Sequence, residues 1–387
     1  MLDTSPLPAP APEAILHSDR MAKRIREEIT ANSGWISFSR YMELALYAPG
    51  LGYYTAGTHK FGEAGDFVTA PELSPLFGRT LAKQVAEITS ASAPHILELG
   101  AGSGKLAHDM LKELENLGCL PESYSILEVS ADLRERQKNL LLQKLPHLLN
   151  RVHWLDRLPE NFSGSIVANE VLDALPVHRV RWQQGRISEL GVTQHETGFA
   201  WQPSDIGQGD LLQTARDINI EAEDYVSEIC LAARGLVNSL AHSLQQGAIV
   251  FIDYGFGARE FYHPQRTAGT LMCHYRHRAH DNPFYLPGLQ DITAHVNFTD
   301  IAECGIDAGL EVAGYTNQAF FLINSGITEL LSGTSPEDLK AYLPLSAQLQ
   351  KLTSHAEMGE LFKVLALSKK LDIQLSGFSC GDLTRLL

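Results

Sequence analysis

The sequence predicts an α/β protein built on an open, mostly parallel sheet. Three features of the chain point there. Short continuous apolar runs, such as Ile96, Leu97 and Leu99 or the stretch 248–252, recur between segments at helical spacing, as strands buried on both faces do. The stretch 95–111, HILELGAGSGKLAHDML, reads as strand, glycine turn and helix in direct succession. The chain has 387 residues, 44% apolar and 20% charged, which gives room for one large α/β domain with insertions or for two domains.

In order, residues 1–14 are a Pro/Ala-rich tail, and SDRMAKRIREEITANSG reads as a helix that starts at Ser18 or Asp19 and ends before Gly34. Phe38, Met42, Ala45 and Leu46 recur at three- and four-residue spacing, predicting a short helix before the Pro49-Gly50 turn. Ser74 is a good N-cap with Pro75 at the first helical position, and Phe77, Leu81, Val85 and Ile88 line one face of the helix that follows. After the glycine turn the alternation continues. Strands are expected over 124–130, from Val152 and over 165–169, with a helix, ADLRERQKNLLLQKL, after the first of them. Residues 179–202 alternate apolar and polar and suggest a hairpin turning at Gln184-Gly185. Residues 221–245 read as a long helix and 248–255 as the fifth strand. The stretch 256–291, rich in His, Pro, Gly and Arg, is too long for a simple connection and reads as either a functional excursion or a poorly ordered loop. Residues 291–310 read as strand-like and then helical from about Asp300, AFFLI from Ala319 as a strand, and the last 55 residues as helical. The domain organisation expected is a helical N-terminal region, 1–90, with a covering loop. A central α/β domain, 91–330, follows with insertions at about 180–245 and 256–295, and then a helical C-terminal region, 331–387.

Lys plus Arg number 31 against 46 Asp plus Glu, a net charge of −15, which disfavours nucleic-acid backbones and tolerates a basic protein segment. The five cysteines, Cys119, Cys230, Cys273, Cys304 and Cys380, show no C-x-x-C pair, so reduced thiols, no structural zinc and a cytoplasmic location are expected. No signal-like start and no run of 18 apolar residues occurs, so no membrane span is expected. HYRHRAH, 274–280, matches no zinc spacing and reads as a loop, and His178 beside an apolar run reads as structural.

The glycine turn separates two cofactor classes. A dinucleotide fingerprint begun at Gly100 needs a third small residue at position 105, where Lys105 stands. The pattern present is E-x-G-x-G-x-G, Glu98 to Gly104, which resembles motif I of class I S-adenosylmethionine methyltransferases. KFGEAGDFVTAPELSPLFG, ILELGAGSG, LEVS, NEVLDALPVHR, IDYG and DITAHVNF, in this order, are similar to the MidA-like family of such enzymes. The resemblance spans about residues 35–321. It implies a Rossmann-like seven-stranded sheet, the last strand antiparallel, with helices on both faces, and S-adenosyl-L-methionine as cofactor; the N-terminal tail and the C-terminal helical region lie outside it. Mitochondrial members act as a protein arginine methyltransferase in assembly of respiratory complex I, so a complex I subunit or another basic segment is an implied partner.

By the same resemblance Glu98 meets the positively charged methionyl part of the cofactor beside Gly100, Gly102 and Gly104, and residues 65–72, with Asp66, Phe67, Thr69 and Pro71, fold over the pocket as a lid. A turn-rich connector is the plain alternative for that loop. Glu128, at a strand end, can accept both ribose hydroxyls, or be a solvated acid. Asp156 can meet the adenine amine, or be a loop acid. Asn169 and Glu170 end the fourth strand, where ligand crevices form, and Asp173 follows. A guanidinium stays protonated and presents a planar fork, for which carboxylates are the natural clamp, so Glu170 assisted by Asp173 is the expected arginine-binding pair. The alternatives are a helix cap at Glu170, a different nucleophile or small molecule with Glu170 as general base, and a non-catalytic assembly factor that kept the fold.

Overall fold

The computed structural model describes residues 7–56, 69–196, 198–218, 220 and 222–387. The chain forms two compact units, one from residues 1–67, 173–234 and 259–295, the other from 68–172, 235–258 and 296–387. These boundaries run elsewhere than the expected segments 1–90, 91–330 and 331–387. The helix Pro75–Ala91 folds with the large sheet, whereas Pro12–Ala31 and Phe38–Tyr47 fold with the strands of 173–234.

The second unit is built on seven strands: β1 (His95–Leu99), β2 (Ser123–Leu127), β3 (Val152–Leu155), β4 (Phe162–Asn169), β5 (Leu244–Phe256), β6 (Glu311–Asn317) and β7 (Phe362–Lys369). Their order is β6-β7-β5-β4-β1-β2-β3, with a further two-residue strand, Val296–Asn297, paired to the end of β5. β1 to β5 run parallel, and β7 is antiparallel to both its neighbours. The order reverses at β1, between β2 and β4, and a sheet of this kind opens a crevice outside its carboxyl ends there. Continuous apolar runs explain the burial: Ile96, Leu97, Ile166, Val167 and 248–252 are wholly inaccessible.

Ser74 Oγ accepts from Leu76 N at 3.2 Å and caps the helix Pro75–Ala91, whose Phe77, Leu81, Val85 and Ile88 are fully buried, as expected. Each such side chain contributes roughly 1.5–3 kcal/mol by leaving water. The helix Lys105–Asn116 packs against it through Leu106, Met110 and Leu114. Gly78 permits that approach, because a Cβ there would stand 2.8 Å from Asp109 Cβ.

The first unit holds the two N-terminal helices, a five-stranded sheet and a three-stranded sheet. The expected hairpin turns at Gln184-Gly185, both left-handed (φ 49° and 75°), between His178–Gln183 and Arg186–His195. His178 Nδ1 lies 2.6 Å from Glu189 Oε1 within it.

Several expectations are corrected. The first helix begins at Pro12, inside the expected tail. Residues 221–245 are not one helix: Asp224–Ile229 is a strand antiparallel to His178–Gln183, and the helix is Leu231–Ser243. Tyr225 and Ser227 face inward there with period two, a pattern that only the partner strand makes decisive. AFFLI belongs to a helix, Gln318–Asn324, capped by Asn317 Oδ1 on Phe320 N at 2.9 Å. The last 55 residues contain β7, which completes the sheet. The stretch 256–291 is ordered, and HYRHRAH is a hairpin whose turn residues Arg276 and His277 are left-handed without glycine. No helix among the described residues is long and apolar enough to cross a membrane.

Candidate active site

The glycine turn after β1 takes left-handed backbone at Gly100, Gly102 and Gly104 (φ 62°, 54° and 87°). Gly100 N donates to Leu127 O at 3.0 Å, tying the turn to the end of β2. A Cβ at Gly102 meets no described atom within 4 Å, whereas one at Gly104 would press on Gln137.

Glu98 is fully buried and accepts from Tyr124 Oη at 2.6 Å. Burial pushes its carboxyl up to about 7; the Tyr124 hydroxyl opposes the rise and the charge of Glu128 adds to it. Glu128, one residue beyond β2, is buried as well. Its Oε1 accepts from Ser130 N at 3.0 Å and its Oε2 from Gln137 Nε2 at 3.1 Å. Desolvation raises its pKa against the Ser130 and Gln137 donors, the Val129 N–H and the charge of Arg134. An ionised carboxylate has about four lone-pair sites, so two donors leave it acceptor capacity. Val129 beside it is 72% exposed, an apolar side chain presented at the strand ends.

Gln137 was not legible as a site residue. It is wholly buried, donates to Gly102 O at 2.9 Å as well as to Glu128, and accepts from Trp154 Nε1 at 2.9 Å. The one available signal is its four-residue spacing from Leu141, the only other buried residue of the helix Ala131–Lys144. Arg134 is the second omission. Its guanidinium donates to Glu128 O and Leu155 O and meets Asp156 Oδ1 at 2.6 Å. Asp156 therefore sits just past β3 with its side chain 90% exposed, held by that arginine.

At the end of β4, Glu170 adopts a left-handed backbone (φ 52°) although it carries a Cβ. Such residues persist where the surroundings over-determine them, often at functional sites. Its N–H continues the ladder to Ile252 O at 2.9 Å, its Oε1 lies 3.4 Å from Ala70 N, and Asn169 Nδ2 donates to the same oxygen at 3.3 Å. Asn169 Oδ1 is buried without a hydrogen-bond partner among the described residues. Asp173 begins the chain's next passage through the other unit, where it is 6% exposed and its carbonyl accepts from Ala294 N at 3.0 Å.

Of the covering loop, Asp66 and Phe67 lie outside the described residues. Thr69 precedes the short helix Ala70–Leu73, in which Pro71 is buried. Glu72 in that helix accepts from Ser103 Oγ, and its carbonyl accepts from Lys105 Nζ at 2.8 Å. The described end of the loop is thus fastened to the glycine turn on one side and to Glu170 on the other. No cluster of metal-ligating side chains occurs among the described residues.

A family model described as "Putative S-adenosyl-L-methionine-dependent methyltransferase" matches residues 76–316, well over half of the chain and all of β1 to β5. The chain belongs to this family. The methyltransferase is also similar to a "likely methyl transferase from Burkholderia thailandensis bound to S-adenosyl-homocysteine", at 48% identity and a TM-score of 0.95 over 99% of this chain and 100% of that one. Among curated relatives, it is 28% identical to the protein arginine methyltransferase NDUFAF7 homolog, mitochondrial, of Drosophila melanogaster, over 90% of this chain and 84% of that protein. It is 30% identical to NDUFAF7 of Xenopus tropicalis, over 76% and 73%. The fold and the S-adenosyl-L-methionine dependence expected from the resemblance are those of the family. The expected cytoplasmic location is overturned, since these relatives are named mitochondrial. Cysteine spacing and composition speak to thiol chemistry and do not distinguish one reducing compartment from another.

Proposed function

We propose that this methyltransferase transfers methyl groups to arginine in a protein segment, with Glu170 binding and orienting the guanidinium. The observation that carries the reading is Glu170 itself: a carboxylate held in a costly left-handed conformation at the carboxyl end of β4, beside the point where the strand order reverses. The names of the curated relatives support it, as does the net charge of −15, which favours a basic partner. A subunit of respiratory complex I is the acceptor that the family resemblance favours.

The described residues fit the cofactor. Glu128 has acceptor capacity for the two ribose hydroxyls, the orphaned Asn169 Oδ1 offers a buried acceptor, and the space over Gly102 lets a ligand approach the backbone. Gly100, Gly102 and Gly104 would hold it against the turn, Glu98 would face its methionyl end, and Val129 and Asp156 its adenine. Thr69 and Pro71 would cover it.

When bound, S-adenosyl-methionine supplies an electrophilic methyl on a sulfonium. Glu170 would accept two N–H groups of the planar guanidinium, orient one nitrogen for transfer, and take the proton released as that nitrogen gains the methyl given up by sulfur. The helix Ala70–Leu73, fastened to Ser103 and Lys105, would help to exclude water from that approach. Asp173 as an assistant rests on the sequence reading, and Asp173→Asn measures it.

Glu170→Gln keeps the shape and removes the charge. Calorimetry should show unchanged affinity for S-adenosyl-homocysteine, while methyl transfer to an arginine-bearing peptide falls by roughly 10²-fold. Transfer at near wild-type rate on that variant sinks the clamp.

A further inference from the structure

Asp253 lies in β5, follows four wholly buried side chains (Ile249 to Ile252) and is itself 1% exposed. The acid belongs to IDYG, one of the motifs that carry the family resemblance, and the resemblance gives it no role. Its Oδ2 accepts from Leu172 N at 3.0 Å and its Oδ1 from Tyr254 N at 2.9 Å. The neighbouring carbonyl, Ile252 O, accepts from Glu170 N. Two consecutive residues of β5 therefore grip the turn after β4 on either side of Val171. Val171 closes the third side, because its Cγ2 stands 3.2 Å from where a Cβ on Gly100 would be. Left-handed backbone at a residue with a Cβ lasts only where neighbours impose it, and here the imposing groups are identifiable.

We propose that Asp253 is a positioning residue for methyl transfer: by fixing Leu172 N it holds Glu170 left-handed, with its carboxylate directed as the reaction requires. The proposal rests on the reading of Glu170 as the guanidinium clamp. An aspartate suits the task because a carboxylate accepts from two backbone N–H groups at once. An asparagine offers one acceptor oxygen and turns an NH₂ group against the second donor. A misplacement of about 1 Å at a reacting group can cost on the order of 10²-fold in rate.

The test is Asp253→Asn, alone and combined with Glu170→Gln. Expected for the single variant are methyl transfer to an arginine-bearing peptide down by roughly 10- to 10²-fold at saturating S-adenosyl-methionine, and calorimetric affinity for S-adenosyl-homocysteine within about twofold of wild type. Its crystal structure should show residue 170 outside the left-handed region. The double variant should be no slower than Glu170→Gln, since residues that act as a unit do not add. Asp253→Ser, which removes the charge and one acceptor, is read the same way where the asparagine variant does not fold. Additive losses, or a left-handed Glu170 with wild-type transfer in either Asp253 variant, overturn the proposal. Loss of the clamp reading shows differently: Glu170→Gln alone then keeps its activity, while the crystal structure still reports whether Asp253 sets the turn.

Discussion

Gln137 reaches across to Glu128, its Nε2 standing 3.1 Å from Glu128 Oε2 while it also donates to Gly102 O. One amide on the helix after β2 thereby sets the distance between the glycine turn after β1 and the acid at the end of β2. Both ends of the proposed cofactor platform hang on that side chain.

Replacing it by leucine keeps a similar volume and deletes both donors and the acceptor for Trp154 Nε1. Buried polar groups left unpaired cost about 1–3 kcal/mol each. Gln137→Leu should weaken S-adenosyl-homocysteine binding by at least about tenfold by calorimetry and lower the melting temperature. Wild-type affinity in a folded variant contradicts the linkage.

Gly104 and Gly118 allow a paired comparison. Both are left-handed (φ 87° and 69°), but a Cβ at Gly104 would lie 3.1 Å from Gln137 Cα and one at Gly118 meets nothing within 4 Å. Alanine costs about 1–2 kcal/mol at either from backbone strain, and Gly104→Ala should cost more through the push on Gln137. Urea unfolding of the two variants gives the difference; equal losses mean the helix yields without resistance.

Glu98 predicts a pH dependence. Unfolded, its carboxyl has an ordinary pKa near 4.5; folded, burial raises it to about 7. Between those values the folded protein keeps a proton that the unfolded chain has released, so this group's contribution to stability declines as pH rises from about 4.5 and its penalty is complete above 7. The full effect is on the order of 3 kcal/mol. Thermal melts of Glu98→Gln against wild type at pH 5 and pH 8 should show the variant gaining over that interval. A constant difference means Glu98 stays ionised.

The left-handed Glu170 carries a stability signature of its own. Glycine adopts φ near 52° freely, and alanine does not. Glu170→Gly should be more stable than Glu170→Ala by roughly 1 kcal/mol. Chemical denaturation measures this without any substrate, and the reverse order would mean that the turn relaxes on substitution.

The parallel strands and the glycine turn were legible because they combine a local signal with a local cause: a buried run such as 248–252, then backbone that only Gly100, Gly102 and Gly104 adopt cheaply. Glu98, Glu128 and Glu170 stood out for a related reason, as acids next to strand ends. Where the structure departs from the sequence reading, the deciding partner is distant. The strand Asp224–Ile229 exists through His178–Gln183, and β7 through β5 and β6, none of which a window of ten residues contains. Gln137, Arg134 and Asp253 escaped notice because each acts on backbone groups elsewhere in the chain, and a hydrogen bond to a remote carbonyl or N–H leaves no spacing to read.

The order β5-β7-β6 has a consequence for synthesis on the ribosome. β6 is made some fifty residues before β7, yet β7 is the strand that joins it to β5. Until residues 362–369 emerge, β5 offers an open row of N–H and C=O groups along an almost wholly apolar strand, the kind of edge that recruits foreign strands. Nascent chains stalled before that point are therefore the form of this protein most in need of a chaperone, and a nonsense mutation between β6 and β7 would leave the glycine turn intact while leaving the edge of β5 open to aggregation.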